Sequence, residues 1–168
     1  MGKYYTEAQS VLVWLGPSGA HTDLVMDQVN VLNKSLGIIA KPILVSNEIL
    51  QQHSLPVRKD PVWQGIDEIF TRQWFQRLWI VQEVALARHI IVLCGLKSTG
   101  WHELSSLADH MGRVGLVTLA RGNVNVDLSK SDGFDAMMVP DFVRDYQSRG
   151  KSYPLVNLCH FARSRNTS

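Results

Sequence analysis

The stretch SVLVWLGP at residues 10–17 and its counterpart HIIVLCG at 89–95 decide how this chain folds. Each is a short apolar run rich in Val and Ile, with no polar alternation, closed by glycine. Such a run reads as a strand buried on both faces, as in a parallel sheet. Between them the pattern changes to helical spacing. Val25, Val29, Leu32 and Leu36 mark an amphipathic helix over 22–36, closed by Gly37. Asp60-Pro61 is a helix start, with Asp as N-cap and Pro at the first helical position. Val62, Trp63, Ile66, Ile69 and Phe70 supply its apolar stripe, and a second helix is expected over roughly 74–87. Strand, helices and strand make a parallel crossover unit, which is right-handed.

Working outward, residues 3–9 read as the end of a helix. KPILVS at 41–46 fits a short strand or an extended loop, and SNEILQQHSLPVRKD fits a broken helix followed by a linker. Beyond 95 the chain reads helical over about 101–119, about 138–148 and about 154–164. RGNVNVDLSKSDGFD forms a turn-rich, exposed loop before the last two. The fold class is α/β: a partial parallel sheet of two or three strands in predominantly helical surroundings. Two strands of central type leave sheet edges bare, so the chain is expected to be part of a larger domain. The weaker alternative is a small, mostly helical protein with a two- or three-stranded sheet.

The composition sets limits on function. At 168 residues the chain has the length of one domain, and 45% hydrophobic against 19% charged residues is globular composition. Seventeen Lys+Arg against fifteen Asp+Glu leave a formal charge of +2, too small a footprint for nucleic acid or an anionic membrane. Cys94 and Cys159 lie in apolar surroundings without zinc-ligand spacing and read as buried free thiols. A reducing compartment and a cytoplasmic location are therefore expected. No apolar run approaches the roughly 18 residues of a membrane span. The polar opening MGKYYTEAQS is no signal peptide. Gly2 and Thr6 match the N-myristoylation pattern, but an ordinary helix start is the better reading.

The densest chemical cluster is FTRQWFQRLWIVQE at 70–83. Trp79 and Glu83 are four apart and share a helical face that Leu86 continues. A carboxylate beside a large aromatic ring can be raised in pKa or held ready to bind sugar hydroxyls. On spacing alone the structural reading is stronger: Glu83 pairs with Arg77, Arg88 or a backbone amide and orients its helix. The six histidines are scattered, with no HExxH, and no metal ligands are assigned. His160 reads as a core histidine. There is no GxGxxG, no Walker A motif and no GxSxG elbow. Gly16-Pro17-Ser18-Gly19 lacks the lysine of a phosphate loop, and Cys94 lacks a positioned histidine.

These residues carry a family resemblance. YTEAQSVLVWLG resembles the segment "IY..A..V.VWLG" of the fungal heterokaryon incompatibility (HET) domain. WFQRLWIVQEVALARHIIVLCG resembles its block "W..R.W..QE..LA" followed by a strand and glycine, and LCHFARSRNTS the stretch before its "DPRDK" motif. The family's "Y..LSY.WG", "CINQ" and "DPRDK" blocks do not occur here. The resemblance thus implies a single partial HET domain over 1–168, truncated at both ends, with an αβ core at 1–95 and a helical remainder at 96–168.

HET domains are similar to TIR domains in their flavodoxin-like arrangement, which would make 10–15 and 89–94 the third and fourth strands. By the same resemblance Glu83 matches the carboxylate that binds the nicotinamide ribose and supports glycosidic cleavage in enzymatic TIR domains. Trp79 would pack under that site, and Arg77 would hold Glu83 or contact phosphate. NAD is then a substrate, and no tightly bound cofactor is implied. Three functions stand side by side: an NAD-consuming cell-death enzyme, a non-catalytic module that forms homo-oligomers or recruits other cell-death proteins, and a non-functional fragment.

Overall fold

The computed structural model describes residues 10–76, 84, 87 and 89–120. The two apolar runs form strands β1 (Val11–Trp14) and β2 (Ile90–Cys94), paired in parallel with Val11 opposite Ile90 and Trp14 opposite Leu93. A third strand, β3 (Lys97–Gly100), returns antiparallel to β2, giving a mixed sheet of order β1-β2-β3. The fold is α/β, with the parallel crossover in place. β3 falls inside the stretch expected to be helical. Its KSTG sequence has no apolar alternation, and pairing to β2 through the two-residue Gly95-Leu96 turn makes it a strand. Gly95 takes φ +57°, a left-handed conformation that glycine adopts without steric cost.

Helices α1 (Thr22–Gly37), α2 (Asn47–Gln52) and α3 (Pro61–Phe70) precede a 3-10 turn at Gln73–Gln76; α4 (Trp101–Val114) and α5 (Val117–Ala120) follow the sheet. Helix α3 starts as its sequence requires. Asp60 Oδ1 accepts the Val62 N–H at 3.0 Å, and Pro61 fills the position where a backbone donor would be idle. Three boundaries differ from expectation. Gly37 is the last residue of α1, and the cap is Ile38 in a right-handed conformation, so no left-handed glycine closes it. The helix expected over 101–119 stops at Val114, because Gly115 turns left-handed (φ +84°) and both Gly115 and Leu116 donate to Met111 O. Where the second crossover helix is expected to open, Gln73–Gln76 is a 3-10 turn, and most of the remainder of that expected helix lies outside the described residues. Residues 41–46 are extended loop, with Ile43 N–H donating to Val114 O. The helices expected at 138–148 and 154–164, and the helix end at 3–9, lie outside the described residues.

The core gathers between α1, α3, α4 and one face of the sheet. Val25, Val29, Leu32 and Leu36 of α1 are all buried, as their spacing requires, and so are Val62, Trp63, Ile66, Ile69 and Phe70 of α3. Lys97 Nζ reaches both carboxylate oxygens of Asp27 at 2.8 Å and ties β3 to α1. The expectation that both strands are buried on both faces is corrected. Val13, Val92 and Cys94 point into the core, whereas Leu12 and Trp14 are 64% and 62% exposed and Ile91 39%. Periodicity cannot distinguish these cases, since an apolar run looks the same whether one face is covered or two.

Candidate functional site at the carboxyl ends of the parallel strands

Open α/β sheets meet their ligands outside the carboxyl ends of their strands. Here pairing continues one step beyond the strands: Leu15 N–H donates to Leu93 O at 2.8 Å and Gly95 N–H to Gly16 O at 2.9 Å. Gly16 then turns left-handed at φ +105°. Pro17 and Ser18 fold over the end of β2. A Cβ on Gly95 would run into Ser18, and Cys94 Sγ lies 3.9 Å from Pro17 O. Cys94 is fully buried, as its apolar setting suggested.

The loop passes directly into α1. Gly19 N–H donates to Thr22 Oγ1 at 2.9 Å, and Ser18 Oγ donates to Asp23 Oδ1 at 2.8 Å. The N-cap residue His21 offers no side-chain cap. Its backbone N–H donates instead to Glu68 Oε2 at 3.1 Å, across from the last turn of α3. The carboxylate therefore sits at the positive end of the α1 dipole and satisfies a donor that the helix start leaves open. Arg72, four residues on, donates from Nε to Glu68 O at 3.1 Å. Its guanidinium lies against the loop: a Cβ would stand 3.4 Å from Nη1 at Gly16 and 3.1 Å from Nη2 at Gly19.

Glu68, Arg72, Ser18 and Asp23 thus surround one glycine-bearing loop. Two carboxylates offset one guanidinium, so the cluster is no anion cradle. Carboxylate, hydroxyl and guanidinium together suit a neutral or hydroxyl-rich ligand group. Sequence reasoning missed Glu68 and Arg72. Glu and Arg at i, i+4 near a helix end read as an ordinary surface pair, and only the approach of the 16–21 loop gives them another partner.

The residues singled out from the sequence, Arg77, Trp79 and Glu83, lie outside the described residues. Their described neighbours are core. Trp74 and Phe75 are buried, with Trp74 edge-on to Phe75 (5.2 Å) and to Trp101 (5.8 Å). Val84 and Ala87 are buried as well. Among the described residues no group of three or more His, Cys, Asp or Glu could hold a metal, and no helix is long and apolar enough to cross a membrane.

The comparisons with known proteins agree with the resemblance. The family model described as heterokaryon incompatibility protein (HET) matches residues 1–83. A curated relative, heterokaryon incompatibility protein 6, OR allele, of Neurospora crassa, is 27% identical over a region covering 66% of this chain. The chain spans about a fifth (19%) of that relative's length. No solved structure matches the chain. The matched segment contains β1, the glycine loop, α1 and α3, and over it the chain is similar to the heterokaryon incompatibility family.

Proposed function

We propose that this chain serves fungal non-self recognition, and that the intact domain does so by cleaving NAD. The observation that supports non-self recognition is the family match over residues 1–83; NAD cleavage rests on the resemblance of the block around Glu83 to the carboxylate-bearing helix of enzymatic TIR domains. In this reading the bond between nicotinamide nitrogen and ribose C1 breaks, and nicotinamide leaves with the bonding electron pair. The Glu83 carboxylate stabilises the oxocarbenium-like sugar, and water adds to C1 and releases a proton. Trp79 packs beneath the ribose, while Arg77 holds Glu83 or contacts phosphate. NAD loss then drives regulated cell death.

The test is NAD content in fungal cells expressing a full-length protein that carries this segment, alongside Glu83→Ala and Glu83→Gln. NAD is expected to fall in the unsubstituted cells and to hold steady in both variants at equal protein level. Full NAD loss and cell death with Glu83→Ala would sink the enzymatic reading and leave a non-catalytic association module.

A further inference from the structure

Glu68, on the last turn of α3, and Arg72, just past its end, both reach one point over Gly19. A Cβ there would touch Glu68 Oε2 and stand 3.1 Å from Arg72 Nη2. A carboxylate and a guanidinium so placed ordinarily close into an ion pair. Here they do not. Arg72 donates from Nε to the main-chain oxygen of Glu68, and among the described residues neither Nη1 nor Nη2 has a hydrogen-bond or ion-pair partner. Glu68 Oε2 accepts the His21 N–H, and among the described residues Oε1 accepts from no group. The pair is thus held open, across a gap that one oxygen atom bridges with two hydrogen bonds of about 2.8 Å each. Glycine at position 19 keeps the gap clear, since a Cβ there would stand in it.

We propose that this gap binds the vicinal diol of a ribonucleoside. A bridging group must donate to the carboxylate and accept from the guanidinium at once. A hydroxyl does both. A carboxylate or phosphate offers Glu68 no proton, and an ammonium offers Arg72 no lone pair. The second hydroxyl of the diol has a partner as well. Ser18 Oγ gives its proton to Asp23 Oδ1 and keeps lone pairs for a further donor. Ser18 and Asp23 are exposed and Glu68 and Arg72 half-buried, so the gap is open to a ligand. Its place in the fold agrees. An acidic side chain beside a glycine turn, at the carboxyl ends of parallel strands, is where open α/β sheets hold a ribose hydroxyl. The site reads a sugar and breaks no bond, so it does not rest on NAD cleavage at Glu83.

The test follows the backbone amide signals of Gly16, Gly19 and His21 in NMR spectra of the full chain. Adenosine is titrated against 2′,3′-dideoxyadenosine, which keeps the base and lacks the diol. Adenosine should shift these amides saturably. The dideoxy compound should bind about tenfold more weakly, as the loss of two hydrogen bonds requires. Glu68→Gln separates reading the ligand from holding the loop. Its amide oxygen still accepts the His21 N–H, but its NH2 then faces the ligand where an acceptor stood. The preference for adenosine should vanish in this variant while the free protein keeps its folded spectrum.

No saturable shift at the three amides would overturn the proposal. So would equal binding of the two nucleosides, or a preference that survives Glu68→Gln. Should Glu68→Gln fail to fold, the two nucleosides on the unsubstituted chain still decide the outcome. Full NAD loss with Glu83→Ala would sink cleavage and leave this binding untouched, so the two readings fail separately.

Discussion

On one face of the sheet Val13, Val92 and Cys94 are at most 1% exposed; on the other, Leu12 and Trp14 keep 64% and 62% of their surface. The residues differ little in chemistry, and Leu12 and Val13 are adjacent. What separates them is the direction in which a strand points alternate side chains, combined with a crossover that covers one side. Aromatic residues make the contrast sharpest. Trp63 is buried between α3 and its neighbours with its indole N–H donating to Val57 O at 2.9 Å, whereas Trp14 stands mostly in solvent.

Stability measurements can break that contrast. The largest effect belongs to Trp63→Ala, which empties a packed site and should cost about 3–5 kcal/mol in urea unfolding. Trp14→Ser should cost much less of the same transition, and equal losses at the two tryptophans would show that the faces are energetically alike. Gly65→Ala comes next. Alanine is the better helix former, yet its Cβ would press on the backbone carbonyl of His21 where α3 meets α1. A net loss of about 1–3 kcal/mol is expected from overpacking; a gain would mean that the covered side is loosely closed.

A smaller effect is expected at the start of α3. Asp60→Ala should lower stability by about 1 kcal/mol and Asp60→Asn by less, because asparagine can still accept the Val62 N–H. The smallest concerns His110 on α4. Asn33 of α1 donates to Glu103 O at 2.8 Å and so presents its Oδ1 to His110 Nδ1 at 3.2 Å. Burial, and then the Arg113 charge, hold the His110 pKa below its ordinary 6.5. The fold therefore favours the neutral ring. Its contribution is fully present above that ordinary value and is lost as pH falls through the lower value reached in the fold. The Tm should decline gently on acidification through this window, and His110→Gln should flatten the decline. An unchanged slope would remove His110 from the account.

Much of this was legible beforehand, for reasons that particular residues make plain. Asp60-Pro61 announces a helix because the cap and the missing donor are local chemistry. Val25, Val29, Leu32 and Leu36 announce a buried stripe because helical geometry is set by the backbone. β3 was not legible: KSTG acquires strand structure only from its partner. Nor were Glu68 and Arg72, whose role depends on a loop more than forty residues away in sequence.

The sequence by itself determined the α/β class, the crossover and the helix starts, since each rests on local chemistry or on a pattern carried along the chain. Only the tertiary structure decided which face of β1 meets the core, how β3 closes the sheet, and that a carboxylate from α3 caps α1. Those are relations between segments distant in sequence, and their energies arise only when the segments meet.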